Sequence, residues 1–432
     1  MAVLFADPGA EYYLSLGAAG AVTAGAWSVE TGGPLFVNTA PVGRAAASDG
    51  KYYAIEINSG NTLTKNFGPS YNHMIVGFAR YFTSPPISGT LFQYKDAGTV
   101  QVDIRVDGSG HPYLTQNGTT IGSVASVVIP GGWNYLELEV VFETGLTGSA
   151  QLWLNSILVV TISGVKTSGT SNNSANGYTI SGVAGSDPEY FRDHWVIDAS
   201  TGANTTHLGD CTVGVEFPTT AGSHSQWTEQ VGGKSGTGGT LTITSVNGAG
   251  VYTFTDTGIA ASQLVGYNIS VTGFGAGVNN ITNLPITANT ISTFTVSLTT
   301  TPQGATATGT FENLVQDGIN HSGTWPDGDS GYIFDATSGD ISDFAHTALS
   351  LPGSGILYSV VHVSYVKKDD AGARAFRQVC ISGGVTETNG VDISATNTYL
   401  YYYDVLDQDP NTSAQWTATG YNAATFGVKE VT

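Results

Sequence analysis

The stretch VQVDIRVDGSGHPYLTQNGTTIGSVASVVIPGGWNYLELEVVF, Val100 to Phe142, decides the fold. Val102, Ile104 and Val106 alternate with Asp103 and Arg105, and Leu136, Leu138 and Val140 alternate with Glu137 and Glu139. A period of two is the mark of a strand with an apolar inward face and a polar outward one. DGSG (Asp107–Gly110), NGT (Asn117–Thr119) and PGG (Pro130–Gly132) are turn signals at the spacing of a β-sandwich. Outward from this stretch the pattern continues in YYAIEI, MIVGFARYF and SAQLWLNSILVVTI, and no amphipathic helix emerges. The chain is expected to be all-β.

Composition agrees. The 432 residues are too many for one ordinary core, so two or three domains are expected. Charged residues make up 11%, against roughly 25% in a typical soluble protein. Glycine (57) and tyrosine (21) are abundant, a composition of turns and rigid aromatic surfaces. A net charge of −20 argues against nucleic acid and anionic membranes as partners, because phosphates are bound by clustered Lys and Arg. The N-terminal MAVLFADPGAEYY has neither the basic region nor the apolar run of a signal peptide. No window approaches the ~18 apolar residues of a membrane span, so no membrane insertion is expected. Cys211 and Cys380 match no metal spacing and are expected as small buried strand residues. Whether they pair stays open.

The order VDIRVDGSG, QNGTT, GWNYLELEVVF and GSAQLWLNSILVV resembles the concanavalin A-like, laminin-G-like jelly roll over residues 2–200. That resemblance implies a fold and hardly a ligand. Farther on, DHWVIDASTGANTTHLGDCTVGVEFPTTAGSHSQWT is similar to a region of tailed-bacteriophage virion proteins, where the last jelly-roll strand leads into a new β-module. DGDSGYIFDATSGDISDFAH, YVKKDDAGAR and the closing AATFGVK resemble the rest of that module. The departure is Gly232 to Phe311, which opens with GGKSGTGGT and runs through TLTITSV, GVYTFTD, YNISVTG, STFTVSL and ATATGTF. It reads as an inserted small Ig-like β-domain, since insertions succeed at loop tips whose ends are adjacent. The expected division is a jelly roll at 1–203, a phage-type β-sandwich module at 204–231 plus 312–432, and the insert at 232–311.

In FRDHWVID, His194 stands among Asp193 and Asp198, with His207 and Asp210 downstream. Alternation puts His194, Val196 and Asp198 on one face and Trp195 and Ile197 on the other. The expectation is that Trp195 and Ile197 cover the core, leaving His194 and Asp198 exposed, with STGANTTHLGD a turn-rich seam between modules. Glu137, Glu139 and Glu143 invite comparison with jelly-roll glucanases, whose carboxylates stand about 5–5.5 Å apart for a retaining mechanism. Here Val141 occupies the position of the third carboxylate, and the pair faces away from the core. Asp327, Asp329, Asp407 and Asp409 lie in acidic turns that lack a complete calcium-loop spacing. Tyr399, Tyr401 and Tyr403 share a face suited to sugar stacking, subunit packing or burial against a second sheet, the last being favoured.

No catalytic, cofactor-binding or metal residue is assigned, and no cofactor is called for. The phage resemblance implies a structural, non-enzymatic virion component, a tail-fibre, head-fibre or tail-appendage protein assembled in the host cytoplasm. Expected partners are other virion proteins, further copies of the chain (a trimer being the natural symmetry for a fibre) and host-surface glycan. A capsid decoration protein and a carbohydrate-binding or glucanase-like lectin-fold protein are the alternatives.

Overall fold

The computed structural model describes residues 2–7, 27–31, 35–37, 54–200, 206–214, 218–231, 234–235, 239–256, 268–311, 331–335, 337–351, 355–369, 371–388 and 392–431. Strands dominate it. Among the described residues the helical content is one short α-helix, Ala418–Ala423, and one 3-10 turn, Gly277–Asn279.

Fifteen strands build a two-sheet jelly roll. In chain order they are β1 (Ala2–Asp7), β2 (Val29–Thr31), β3 (Leu35–Val37), β4 (Ala54–Ile57), β5 (Thr62–Tyr71), β6 (His73–Phe82), β7 (Gly89–Asp96) and β8 (Thr99–Val106). There follow β9 (Pro112–Gln116), β10 (Thr119–Ile121), β11 (Gly132–Val141), β12 (Gly148–Leu154), β13 (Ile157–Val165), β14 (Ala175–Ser181) and β15 (Glu189–Asp198). The first sheet runs β13-β12-β11-β6-β15-β4-β3, with β1 also paired to β15; the second runs β10-β9-β8-β7-β14-β5-β2. The chain crosses between sheets repeatedly, so sequence neighbours such as β10 and β11 lie in different layers.

The core between the sheets holds the side chains that alternation points inward: Val102, Ile104 and Val106 from β8, and Leu136, Leu138 and Val140 from β11, all essentially inaccessible. One charged pair is buried with them. Arg80 Nε donates to Glu189 Oε2 (2.6 Å), and its Nη1 and Nη2 donate to the Leu91 and Ser181 carbonyls of the second sheet (3.2 and 2.6 Å). Glu189 Oε1 accepts the Val183 amide (2.8 Å). The pair is worth its desolvation only because nearly every polar atom is satisfied, and it staples one sheet to the other.

Two-residue turns close the hairpins. Asn117 and Gly118 both have positive φ (47° and 84°), as a type I′ turn requires. SAQLWLNSILVVTI, expected as one strand, is instead a hairpin: Asn155 and Ser156 both take positive φ (51° and 65°) and divide β12 from β13. A side-chain amide that supports the left-handed region makes Asn a turn former even inside an apolar run.

Contacts divide the chain into two units. The first comprises residues 1–216, 351–366 and 400–418, so it includes the two-stranded ribbon Val360–Val366 with Leu400–Leu406. The second comprises residues 217–350, 367–399 and 419–432. Within the second unit, Gly239–Val246, Val251–Phe254, Asn268–Thr272, Ile281–Asn289, Thr293–Val296 and Gln303–Phe311 close on themselves as a six-stranded barrel. Its core is its own: Leu241, Ile243, Ile269 and Val271 surround Tyr252 and Phe294, whose rings stack at 4.9 Å. The first and last strands lie side by side, Gly239 opposite Phe311, so the chain enters and leaves at one place.

Also in this unit, the SHSQWT segment is tied to the strand Ile341–His346. Asp343 accepts the amides of Ser223 (3.1 Å) and His224 (2.6 Å), and the Trp227 amide donates to Ser342 Oγ (3.0 Å). The residues that carry the resemblance here are structural anchors.

Candidate functional site

The segment Phe191–Asp198 is the middle of the first sheet, and both of its faces are covered. Asp193 and His194 form a bulge between Arg192, paired to Ala79, and Trp195, paired to Gly77, with Asp193 at φ 51°. The extra residue resets the alternation, so Phe191 and His194 both enter the sandwich core. His194 was expected on the surface; it is fully buried. Its Nδ1 lies 3.2 Å from the Gly77 carbonyl and so carries the proton, leaving Nε2 to accept from the Tyr178 hydroxyl at 2.7 Å. Trp27 stacks on the ring at 5.7 Å. Burial pushes its pKa down to about 3, so the imidazole is a neutral core group. Asp198, half-exposed at the strand end, accepts the Ser200 amide (2.9 Å) and hydroxyl (2.6 Å).

Trp195 and Ile197 do share the opposite face, but that face is not the sandwich core. With Ile75 and Ala199 they form a second apolar cluster, covered by Leu208, Cys211 and Val213 and by Val361 and Val405 of the ribbon. Residues 206–213 are therefore a strap across the outer face of the first sheet, and its first part, 206–210, falls in the stretch 200–210 expected as a turn-rich seam. Cys211 lies in this strap and not in a strand; Cys380 is buried in the strand Ala375–Ser382, and the two form no disulfide. Burial pushes the Cys211 thiol up to about 12, which makes it unreactive.

The strap covers Glu137. The carboxylate is fully buried and accepts the Leu208 amide on Oε1 (2.7 Å) and the Gly209 amide on Oε2 (3.0 Å). His207 Nδ1 lies 2.7 Å from Oε2, too oblique for a good hydrogen bond, and the imidazole stacks flat on Trp153 at 4.5 Å. Desolvation, opposed by the two amides, raises Glu137 to about 7. Burial lowers the pKa of His207, opposed by the charge of Glu139. Glu139, one step along the same face, meets His73 Nε2 at 2.9 Å. The outward direction of both glutamates is as expected; the burial of Glu137 comes from a third layer. A carboxyl titrating near neutrality is what a general acid needs, yet both oxygens of this one are occupied by the strap. Glu143 lies past the end of β11 and adds no third carboxylate to the row.

The remaining candidates resolve simply. Asp409 closes a turn: its Oδ1 accepts the Asn411 amide (2.9 Å) and its carbonyl the Ser413 amide (2.8 Å). Asp327 and Asp329 lie outside the described residues. No cluster of three or more His, Cys, Asp or Glu suited to a metal occurs among the described residues. Tyr401 faces Tyr365 across the ribbon (4.5 Å), Tyr403 lies against the Lys65 ammonium (5.6 Å) and Tyr399 against that of Lys367 (4.7 Å).

One group escaped the reading of the sequence. At the far end of the same outer face, Trp133 of β11 pairs with Tyr81 of β6, which pairs with Tyr190 of β15, which pairs with Glu56 of β4. Ring centroids are 5.5 Å apart for Trp133–Tyr81 and 6.0 Å for Tyr81–Tyr190, at interplanar angles of 69° and 64°. All three rings are half-exposed. Burial, then the charge of Glu56, raises the pKa of the Tyr190 hydroxyl, keeping it protonated. The available signal was an outward-facing aromatic in each strand; the pairing of strands far apart in sequence aligns them.

No protein-family model matches the sequence, and no curated protein is significantly similar to it. Among solved structures, the endo-β-1,4-glucuronan lyase of the fungus Trichoderma reesei is 13% identical with a TM-score of 0.31, over 45% of this chain and 94% of that one. The cellulose induced protein Cip1 is 14% identical with a TM-score of 0.30, over 42% and 88%. Domain 4 of AbnA, an extracellular arabinanase of Geobacillus stearothermophilus, is 12% identical with a TM-score of 0.27, over 39% and 76%. Likeness at this level transfers neither ligand nor chemistry to this chain.

Proposed function

We propose that this chain is a non-catalytic, carbohydrate-binding display protein made of β-modules, with a tailed-phage virion appendage as its setting. The observation that carries the reading is the state of the outer face of the first sheet. The carboxylate with an acid–base value, Glu137, is sealed beneath the chain's own strap and holds it, while the open end of the face presents aromatic rings. That favours recognition over turnover, because a buried acid with both oxygens engaged cannot reach a glycosidic oxygen. The virion setting and the assembly with other virion proteins and further copies are supported by the resemblance over Asp193–Thr228 and Asp327–Lys429. The test is to incubate the purified protein with a polysaccharide panel and follow binding and product together. Retention on glycan with neither new reducing ends nor unsaturated ends is expected; turnover that is lost in Glu137→Gln would replace this reading with an enzymatic one. For the setting, the chain should appear in the mass-spectrometric inventory of purified particles.

A further inference from the structure

Resting on the carbohydrate-binding reading, we infer that the row Trp133–Tyr81–Tyr190, with Glu56 and Asn58 at its end, is the binding site, and that it selects a neutral glycan chain over a uronate or otherwise anionic one.

Three features converge on this ligand. The first is placement. The rings stand on three adjacent strands, about 4.8 Å apart in a sheet, held by ladder pairing and not by loops, so the site is rigid before a ligand arrives. A row of three rings at 5.5 and 6.0 Å spacing matches a short run of linked pyranoses better than a single compact metabolite. The face of an aromatic ring carries negative charge density and attracts the polarised C–H groups of a sugar ring. Neighbouring rings here are steeply inclined to one another, so they make no flat platform. A flat crystalline polysaccharide surface would need coplanar rings; inclined ones suit a single, twisting chain.

The second feature is the polar end. Glu56 accepts from Asn58 Nδ2 at 3.2 Å, and both side chains are half-exposed beside Tyr190. Carboxylate, amide and phenol together offer acceptors and donors for sugar hydroxyls, the few placed polar groups that orient a ligand on an apolar site.

The third is charge. Among the described residues, Arg80 and Arg192, beside Tyr81 and Tyr190 in sequence, are buried, and Arg80 is committed to Glu189. Among the described residues, the charge that acts on the Tyr190 hydroxyl is the carboxylate of Glu56, on a chain of net charge −20. An anionic glycan meets repulsion here, and the buried arginines among the described residues do not offset it.

The experiment is isothermal titration of the full chain with neutral hexose oligosaccharides (gluco-, galacto- and manno-configured) and with oligouronates of matched length. Trp133→Ala, Trp133→Phe and Glu137→Gln are run in parallel, with circular dichroism to confirm folding. Binding of at least one neutral series is expected, at least tenfold tighter than any uronate. Trp133→Ala should weaken it at least tenfold, Trp133→Phe should retain most of it, and Glu137→Gln, beneath the strap, should leave it unchanged. Neutral-glycan binding that survives Trp133→Ala in a folded protein overturns the site while leaving the carbohydrate reading intact. Uronate binding equal to neutral binding overturns the selectivity. Absence of binding to every oligosaccharide overturns both.

Discussion

Replacing Glu137 with glutamine should make the protein more stable at pH 8 and slightly less stable at pH 5. In the folded chain the carboxyl rises from its ordinary 4.5 to about 7, desolvation being the largest cause. It therefore holds its proton more tightly folded than unfolded. Stability is fullest below pH 4.5, where both states are protonated, drains away as the pH climbs toward 7, and stays lost above it. At about 1.4 kcal/mol per pH unit, the penalty at pH 8 reaches at most about 3 kcal/mol. Glutamine never ionises, so it avoids that penalty, but it offers one acceptor oxygen where the carboxylate serves two strap amides. The missing acceptor costs about 1 kcal/mol at any pH. The variant should thus trail by about 1 kcal/mol well below pH 4.5, trail only slightly at pH 5, where the parent has already lost about 0.8 kcal/mol, and lead by about 2 kcal/mol at pH 8. His207 works in the opposite sense: its lowered pKa costs stability as the pH falls below 6.5. Because it is present in both proteins, the comparison removes most of its effect. Urea unfolding followed by tryptophan fluorescence at several pH values tests this, with amide exchange at Leu208 and Gly209 as the local readout. If the stability difference between the two proteins is the same at pH 5 and pH 8, the carboxylate–strap account is wrong.

Three further outcomes follow from the packing. Arg80→Met should cost about 3–5 kcal/mol by stranding Glu189 between the sheets, and adding Glu189→Leu should recover most of it; urea midpoints of the single and double variants decide. Gly77→Ala should cost about 1–3 kcal/mol, because a Cβ at Gly77 would collide with the Trp195 indole and the Tyr135 hydroxyl, which hydrogen-bond over it at 2.6 Å; a thermal melt unchanged from the parent would contradict the close approach. Replacing residues 232–311 with a short Gly/Ser linker should leave the rest folded, because the barrel satisfies its own core and its end strands are paired. Aggregation of the excised chain would mean that the segment is integral to its host.

Much of this molecule was legible in its sequence. The alternation of Val102, Ile104 and Val106 and of Leu136, Leu138 and Val140 named core residues correctly, and the turn at Asn117-Gly118 sits where its residues put it. Such features are local: a strand's two faces and a turn's backbone angles depend on residues next to one another. Alternation assigned Trp195 and Ile197 to one face and His194 to the other, but it could not tell which face entered the sandwich. The bulge at Asp193-His194 resets the parity, and a bulge depends on pairing with β6 more than a hundred residues away. Nor could it show that the outer face was covered too, since the strap and the ribbon that bury Trp195 and Glu137 arrive from residues 206–213, 361 and 405. The values near 7 for Glu137 and near 3 for His194 are consequences of that covering. The row Trp133–Tyr81–Tyr190 exists only through strand order and register. Sequence determines which residues a strand offers to each side; only the tertiary fold decides what meets them, because burial and cross-strand adjacency are properties of segments distant along the chain.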